Sequence, residues 1–260
     1  MKKITIESIQ KKKNKQPIAC LTSYTKPIAE IAGKYCDIIL VGDSLGMVLY
    51  GMKNTKNVTL DMMIAHAKSV RLGAKKNFVV VDMPYKTYQN KKKAYSNALK
   101  VIKKTKCDAV KLEGGKKIEK IIEHLVKKGI PVMGHVGLLP QYAKNFKTRG
   151  KKKNEREKIL NDATSITKAG VFAIVIECVV ESLAKAITKK IKIPTIGIGA
   201  SKYCDGQILV IDDMIGLSNF YPKFVKQYSK VRKIVDKSVR EYCKDVKTGR
   251  FPFKKNIYRS

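Results

Sequence analysis

Short apolar runs recur along the chain, and several stop abruptly on an acidic residue. Ile38-Ile39-Leu40-Val41 ends in Gly42-Asp43-Ser44, and Phe78-Val79-Val80-Val81 ends in Asp82. Ala109-Val110-Lys111-Leu112 ends in Glu113-Gly114-Gly115, and Phe172 to Ile176 ends in Glu177. Runs of this length without polar alternation predict strands buried on both faces, as in a parallel sheet. Residues 17–22, 131–135, 194–199 and 207–212 predict four more strands. The intervening segments read as helices. Thr25 is placed to cap one running to about Lys34, with Pro27 in its first turn, and Thr59 to cap another that closes at Gly73. Residues 91–104, 116–128, 159–169 and 181–190 predict four more, the second closed by Gly129 and the third by Gly170, and 224–246 is mainly helix. Residues 50–58 and the basic stretch 141–156 read as loops.

Eight strands alternating with helices predict one (β/α)8 TIM barrel over residues 1–260, with a C-terminal helical segment. That fold carries its chemistry at the carboxyl ends of the strands, where Asp43, Asp82, Glu113, His135 and Glu177 would converge.

Composition sharpens this picture. The chain holds 55 Lys+Arg against 21 Asp+Glu, so acids at four strand ends are not expected from chance placement. The formal charge of +34 raises nucleic-acid or anionic-membrane binding as a reading. Against it, the runs Lys11–Lys13, Lys91–Lys93 and Lys151–Lys153 lack interleaved aromatics and fall between strands, as on a solvated lysine-rich surface. No window is apolar enough for a membrane span, and the N-terminus lacks the apolar core of a signal peptide, which predicts a cytoplasmic protein. The six cysteines show no C-x-x-C pair and read as free, mostly buried thiols.

Asp43, Asp82 and Glu113 offer hard oxygen ligands from three neighbouring strands, which suits Mg²⁺. Asp43 and Asp82 could equally cap the helices that follow them, and Ser44 could be a plain cap or a hydrogen-bond donor to a substrate carboxylate. Lys111 and Glu113 share one side of their strand, so Lys111 could bind an anionic group or form a structural ion pair. Glu177 is a candidate general base. His66 and His124 read as helix-face residues, and zinc is disfavoured because His135 is the only histidine at a strand end. A metal, a lysine and a base at one barrel mouth suit enolate chemistry on a 2-oxo acid.

Val41-Gly42-Asp43-Ser44-Leu45-Gly46-Met47 resembles the signature of the ketopantoate hydroxymethyltransferase family. The resemblance continues in order through Asp82-Met83-Pro84-Tyr85, Val110-Lys111-Leu112-Glu113-Gly114-Gly115, Pro131 to Leu138, Ile176-Glu177-Cys178-Val179, Ile196 to Ala200 and Asp205 to Val210. It implies a barrel of the phosphoenolpyruvate/pyruvate superfamily and Mg²⁺-dependent transfer of a one-carbon unit from 5,10-methylenetetrahydrofolate to 3-methyl-2-oxobutanoate, giving 2-dehydropantoate for pantothenate synthesis. It also implies a cytoplasmic homo-oligomer, typically a decamer. Carried over by motif, Asp43, Asp82 and Glu113 match the metal-site acids. Asp43, Ser44, Asp82 and Lys111 match the oxo-acid-binding residues, Glu177 the proton acceptor, and His135 a supporting histidine. The sequence departs from the family's pattern in the loop 144–151, with Arg149 at a usual Gln, and in 218–224.

Overall fold

The structure is a computed structural model and describes residues 3–143 and 145–258; Lys144, the first residue of the departing loop, lies outside them. The chain divides into two compact units, Met1–Val210 and Ile211–Ser260. In the first, strands β1 (Ile18–Thr22), β2 (Ile38–Val41), β3 (Phe78–Asp82), β4 (Ala109–Glu113), β5 (Val132–Gly137), β6 (Ala173–Glu177), β7 (Thr195–Ile198) and β8 (Gly206–Leu209) close in sequence order into a barrel. Every neighbouring pair is parallel, and β8 pairs back onto β1. The helices are α1 (Ile6–Gln10), α2 (Lys26–Ala32), α3 (Leu45–Val48), α4 (Leu60–Gly73), α5 (Lys91–Thr105), α6 (Glu119–Lys127), α7 (Lys153–Lys168) and α8 (Glu181–Lys190). The second unit carries α9 (Ile211–Met214) and α10 (Val231–Lys247).

Side chains of Ile18, Ile38, Leu40, Phe78, Val80, Ala109, Met133, Ala173, Val175, Ile196 and Ile208 fill the barrel. They are the alternate residues of each strand, as the period of two requires. At the amino-terminal end α1 adds the fully buried Ile9 to this core. Lys13, just after α1, reaches Asp205 at 2.8 Å, and the same carboxylate accepts from the backbone of Asn14 and Thr195. Lys12 pairs with Asp37 at 2.5 Å, so two lysines of the first basic run serve the fold.

Several expectations change. Helix α1 is not expected from the sequence, because five residues are too few to show a helical period. Ile211 and Asp212 open helix α9 rather than extending β8. The helix α7 begins at Lys153, inside the stretch expected to be loop, because few large apolar residues mark its first two turns. Thr59 caps α4 by accepting from Met62, but the Thr25 side chain makes no capping bond. The six cysteines are free; Cys20, Cys107 and Cys204 are buried and Cys178 is half-buried. No helix among the described residues is long and apolar enough to cross a membrane.

Candidate active site

Strand parity builds the site. Phe78 and Val80 face the barrel interior, so Asp82 shares their side. The same alternation aims Lys111 and Glu113 inward after Ala109, His135 after Met133, and Glu177 after Val175. Register then sets Asp82 beside Lys111, Glu113 beside His135, and Gly137 beside Glu177. Asp43, Asp82, Lys111, Glu113 and His135 are all 4% exposed or less. Lys111 Nζ lies 2.6 Å from Asp82 Oδ1, 3.4 Å from His135 Nδ1 and 4.0 Å from Glu113 Oε1. His135 bridges two acids, with Nδ1 3.5 Å from Glu113 and Nε2 3.2 Å from Glu177. Asp82 Oδ1 accepts and His135 Nε2 donates no well-aligned hydrogen bond despite these approaches, so the contacts are chiefly between charges.

Neither Asp43 nor Ser44 caps α3 through its side chain. The Asp43 backbone N–H donates to Asp82 Oδ2 at 3.1 Å, and Ser44 shares a 2.8 Å hydrogen bond with the Tyr24 hydroxyl. Lys111 forms a buried ion pair with Asp82 at the barrel mouth, a position from which an anionic group is also in reach of its charge. The helix-face histidines stay outside this cluster: His66 bonds to the Tyr24 carbonyl and the Tyr50 hydroxyl, and His124 lies edge-on to Tyr95.

Burial, then the neighbouring Asp82 and Glu113 charges, push the Asp43 carboxyl well above its ordinary value. Burial also raises Asp82, with Lys111 opposing. Burial would raise Glu113 too, but His135 and Lys111 outweigh it and hold this acid below its usual value. Burial and Lys111 press His135 down, yet Glu113 and Glu177 carry it up to about 9. Lys111 likewise stays charged because Asp82, Glu113 and Asp43 overcome the cost of burying it. Three clustered acids thus share one ammonium and one imidazolium, and the raised Asp43 and Asp82 values mark carboxyl groups whose negative charge is poorly compensated.

That charge suits a cation. Among the described residues no three acidic, histidine or cysteine side chains stand as a ready-made ligand set. Both Glu113 oxygens are engaged, Oε1 towards His135 and Oε2 by the Gln141 backbone N–H. Both Asp82 oxygens are engaged as well, Oδ1 by Lys111 and Oδ2 by the Asp43 backbone N–H, so Asp43, Asp82 and Glu113 stand alike as three acids from adjacent strands. Magnesium commonly binds through one or two carboxylates, keeping waters and positions for substrate oxygens, so this donor set fits it.

The backbone beside Glu177 is unusual. Cys178 adopts a left-handed φ of 49°, a strained conformation for a residue with a side chain. Its N–H donates to Ile198 and its carbonyl accepts from Arg149, which pins it. Across from it, Gly137 has φ +96°, and a Cβ there would meet the Glu177 carbonyl at 2.4 Å. Only glycine permits this close approach.

Comparison with known proteins identifies the architecture. Residues 3–254 match the family model described as ketopantoate hydroxymethyltransferase. The chain belongs to this family. It is 58% identical to the 3-methyl-2-oxobutanoate hydroxymethyltransferase of Pelagibacter ubique (strain HTCC1062), over 95% of this chain and 96% of the relative. It is 49% identical to the enzyme of that name from Anaplasma marginale (strain St. Maries), over 98% and 93% of the two chains. Among solved structures, phosphonopyruvate hydrolase superposes with a TM-score of 0.66 at 10% identity, covering 100% of this chain and 92% of the other. A 2,3-dimethylmalate lyase of the PEP mutase/isocitrate lyase superfamily gives 0.62 at 12% identity, covering 97% and 91%. These two share the fold.

In this ketopantoate hydroxymethyltransferase family member the structure adds site residues that motif reading does not assign. Gln141 is 1% exposed, and its Nε2 donates to Asp43 Oδ2 at 2.8 Å and to the Met83 carbonyl at 2.9 Å. Tyr88 donates to Gln141 Oε1 at 2.5 Å, which fixes the way round the amide sits. Gln141 thus ties the loop after β5 to the ends of β2, β3 and β4. A Gln in a predicted loop gives no signal of this; only its place beside the Pro131–Leu138 motif hints at it.

Proposed function

We propose that this chain is a 3-methyl-2-oxobutanoate hydroxymethyltransferase, using 5,10-methylenetetrahydrofolate as one-carbon donor and forming 2-dehydropantoate. What carries the reading is the buried cluster of acids with Glu177 at its rim, in a chain that matches the family over residues 3–254. Asp43, Asp82 and Glu113 would hold Mg²⁺. When bound, Mg²⁺ supplies Lewis-acid stabilisation to negative charge on the substrate's carboxylate and keto oxygens. Lys111 and Ser44 orient the substrate carboxylate. Glu177 takes the C3 proton, and its side chain, 15% exposed, is the most open of the cluster's acids. His135, charged near neutral pH, steadies both Glu177 and Glu113. The enolate carbon bonds to the donor's methylene carbon, water supplies the hydroxyl oxygen, and tetrahydrofolate leaves.

The deciding experiment follows the C3 proton of 3-methyl-2-oxobutanoate into D₂O by NMR, with and without Mg²⁺, and then with the donor. Metal-dependent exchange, with hydroxymethylated product only when the donor is present, is expected. Exchange without donor-dependent product would instead mark another enolate enzyme. Glu177→Gln should keep oxo-acid binding and lose most exchange and turnover; near-wild-type turnover would remove Glu177 as the base.

The chain works as a cytoplasmic homo-oligomer, with a decamer as the expected order. An exposed apolar stripe on α10, including Ile234, Val235, Val239 and Tyr242, supports assembly with further copies. Light scattering on the purified protein tests this, and a monomer at micromolar concentration would contradict it. The high positive charge reads as a solvated surface rather than a nucleic-acid interface.

A further inference from the structure

Two tyrosines and two lysines gather on loops at the carboxyl ends of the strands. Tyr85 follows β3, three residues beyond Asp82, and Tyr142 follows β5, next to Gln141. Their rings form an edge-to-face corner, with centroids 5.4 Å apart and planes at 79°. Tyr142 is 49% exposed, yet its hydroxyl lies 3.5 Å from that of the buried Tyr88, the partner of Gln141 and of the Glu113 carbonyl. The body of the ring therefore stands in water while its tip touches the shell of the acid cluster. Lys86 and Lys56 place their ammonium groups 5.4 Å and 6.0 Å from the Tyr85 ring centroid. Both are exposed, and among the described residues neither has a carboxylate partner at ion-pair distance. Lys86 also holds a left-handed φ of 62°, an uncommon conformation for a residue with a side chain.

We infer that this rim is the docking surface for the one-carbon donor, with the flat heteroaromatic head against the Tyr85–Tyr142 corner and the anionic tail at Lys56 and Lys86. The inference rests on the proposed function and assigns the co-substrate's half of that site. Charge supports the direction of binding. At the barrel mouth Lys111 is already paired with Asp82, whereas the rim's two lysines have no carboxylate partner among the described residues and attract an anionic tail. A neutral aromatic head is the part that can lie towards the acids. Stacking on tyrosine is tolerant of ring chemistry, and the neighbouring lysines add the tail's specificity.

The test uses the full-length enzyme with Mg²⁺ and the oxo acid, and measures calorimetric binding of tetrahydrofolate alongside the KM of each substrate. Tyr142→Leu should weaken tetrahydrofolate binding and raise the donor KM about tenfold, with the oxo-acid KM within about twofold of wild type. Tyr142→Phe keeps the ring and should restore donor affinity. Lys86→Glu and Lys56→Glu alter exposed side chains only. They should raise the donor KM and flatten its increase with salt. Wild-type tetrahydrofolate affinity and donor KM in all of these variants would overturn the inference while leaving the proposed reaction standing. If the wild-type enzyme exchanges the C3 proton but neither binds tetrahydrofolate nor uses the donor, the proposed reaction fails and this inference falls with it.

Discussion

Replacing Gln141 by Met tests how the cluster is held. Met has a similar length and no polar hydrogens, so the backbone bond from residue 141 to Glu113, at 3.1 Å, can persist. What disappears are the amide's bonds, 2.8 Å to Asp43, 2.9 Å to the Met83 carbonyl, and the 2.5 Å bond that Oε1 accepts from Tyr88, whose hydroxyl keeps the Glu113 carbonyl as a partner. A hydrogen bond to a charged group contributes about 1.5–3 kcal/mol, and leaving a buried carbonyl unpaired costs about 1–3 kcal/mol. With partial relaxation the loss should be about 3–5 kcal/mol, a large share of a typical total stability of about 5–15 kcal/mol. For a chain of this size each kcal/mol moves the thermal midpoint by about 2–4 °C, so calorimetry should show a fall of about 6–20 °C. The pH dependence has a definite sign. Burial and neighbouring acids already raise the Asp43 pKa, so its ionised form weighs against folding as pH rises above the unfolded-state value. Removing the amide that favours the ionised form enlarges that penalty. The gap between variant and wild type should therefore be widest in mildly alkaline buffer and shrink on acidification. A loss below about 0.5 kcal/mol, the range of an ordinary surface change, or a gap independent of pH, would show that Gln141 does not support Asp43.

Three further outcomes are expected. Lys111→Met removes the ammonium 2.6 Å from Asp82 and leaves buried acids unpaired, so stability should fall by about 3–5 kcal/mol. Added Mg²⁺ should then raise the melting temperature more than it does in wild type, and an equal rise would mean that the cation does not meet these carboxylates. Asp205→Asn weakens the contact with Lys13 at the amino-terminal end of the barrel. The Asp205 pKa is depressed, since the hydrogen bonds from Lys13, Thr195 and Asn14 outweigh burial, so its contribution is present above the unfolded value of about 3.9 and is lost as pH falls through the folded pKa. The variant should lose stability near neutrality and show a flatter acid limb in urea titrations, whereas a parallel limb would contradict the assignment. Gly137→Ala forces a Cβ against the Glu177 carbonyl at 2.4 Å with φ +96°. It should lower kcat at least about tenfold through displacement of Glu177, a 1 Å error being enough for larger losses, with Mg²⁺ affinity by calorimetry near wild type; unchanged kcat would mean that Glu177 needs no such close packing.

Much of the site was readable before the fold was known, because a barrel strand has a period of two and a fixed functional end. Once Phe78 and Val80 face the core, Asp82 must as well, and the same holds for Lys111 with Glu113. The ends of β3, β4 and β6 were equally readable, since an acid cannot extend a buried ladder at no cost. Reading was weaker wherever a segment takes its shape from what it touches. The five residues of α1 pack Ile9 under the barrel, and no period betrays so short a helix. Ile211 and Asp212 continue an apolar run that looks like strand, but the ladder ends at Leu209 and the chain turns into α9.

The sequence by itself determined the alternation of elements, the parity that turns five strand-end residues inward, and the ordered motifs of the family. Only the tertiary structure decided which of those residues touch. It alone shows that His135 joins Glu113 to Glu177, that Lys111 answers Asp82 most closely, and that Gln141, far away in the chain, holds Asp43. The reason is physical. Periodicity is a local property of the backbone, whereas partner choice depends on the register between strands and on loops whose conformations are fixed by buried polar groups finding partners.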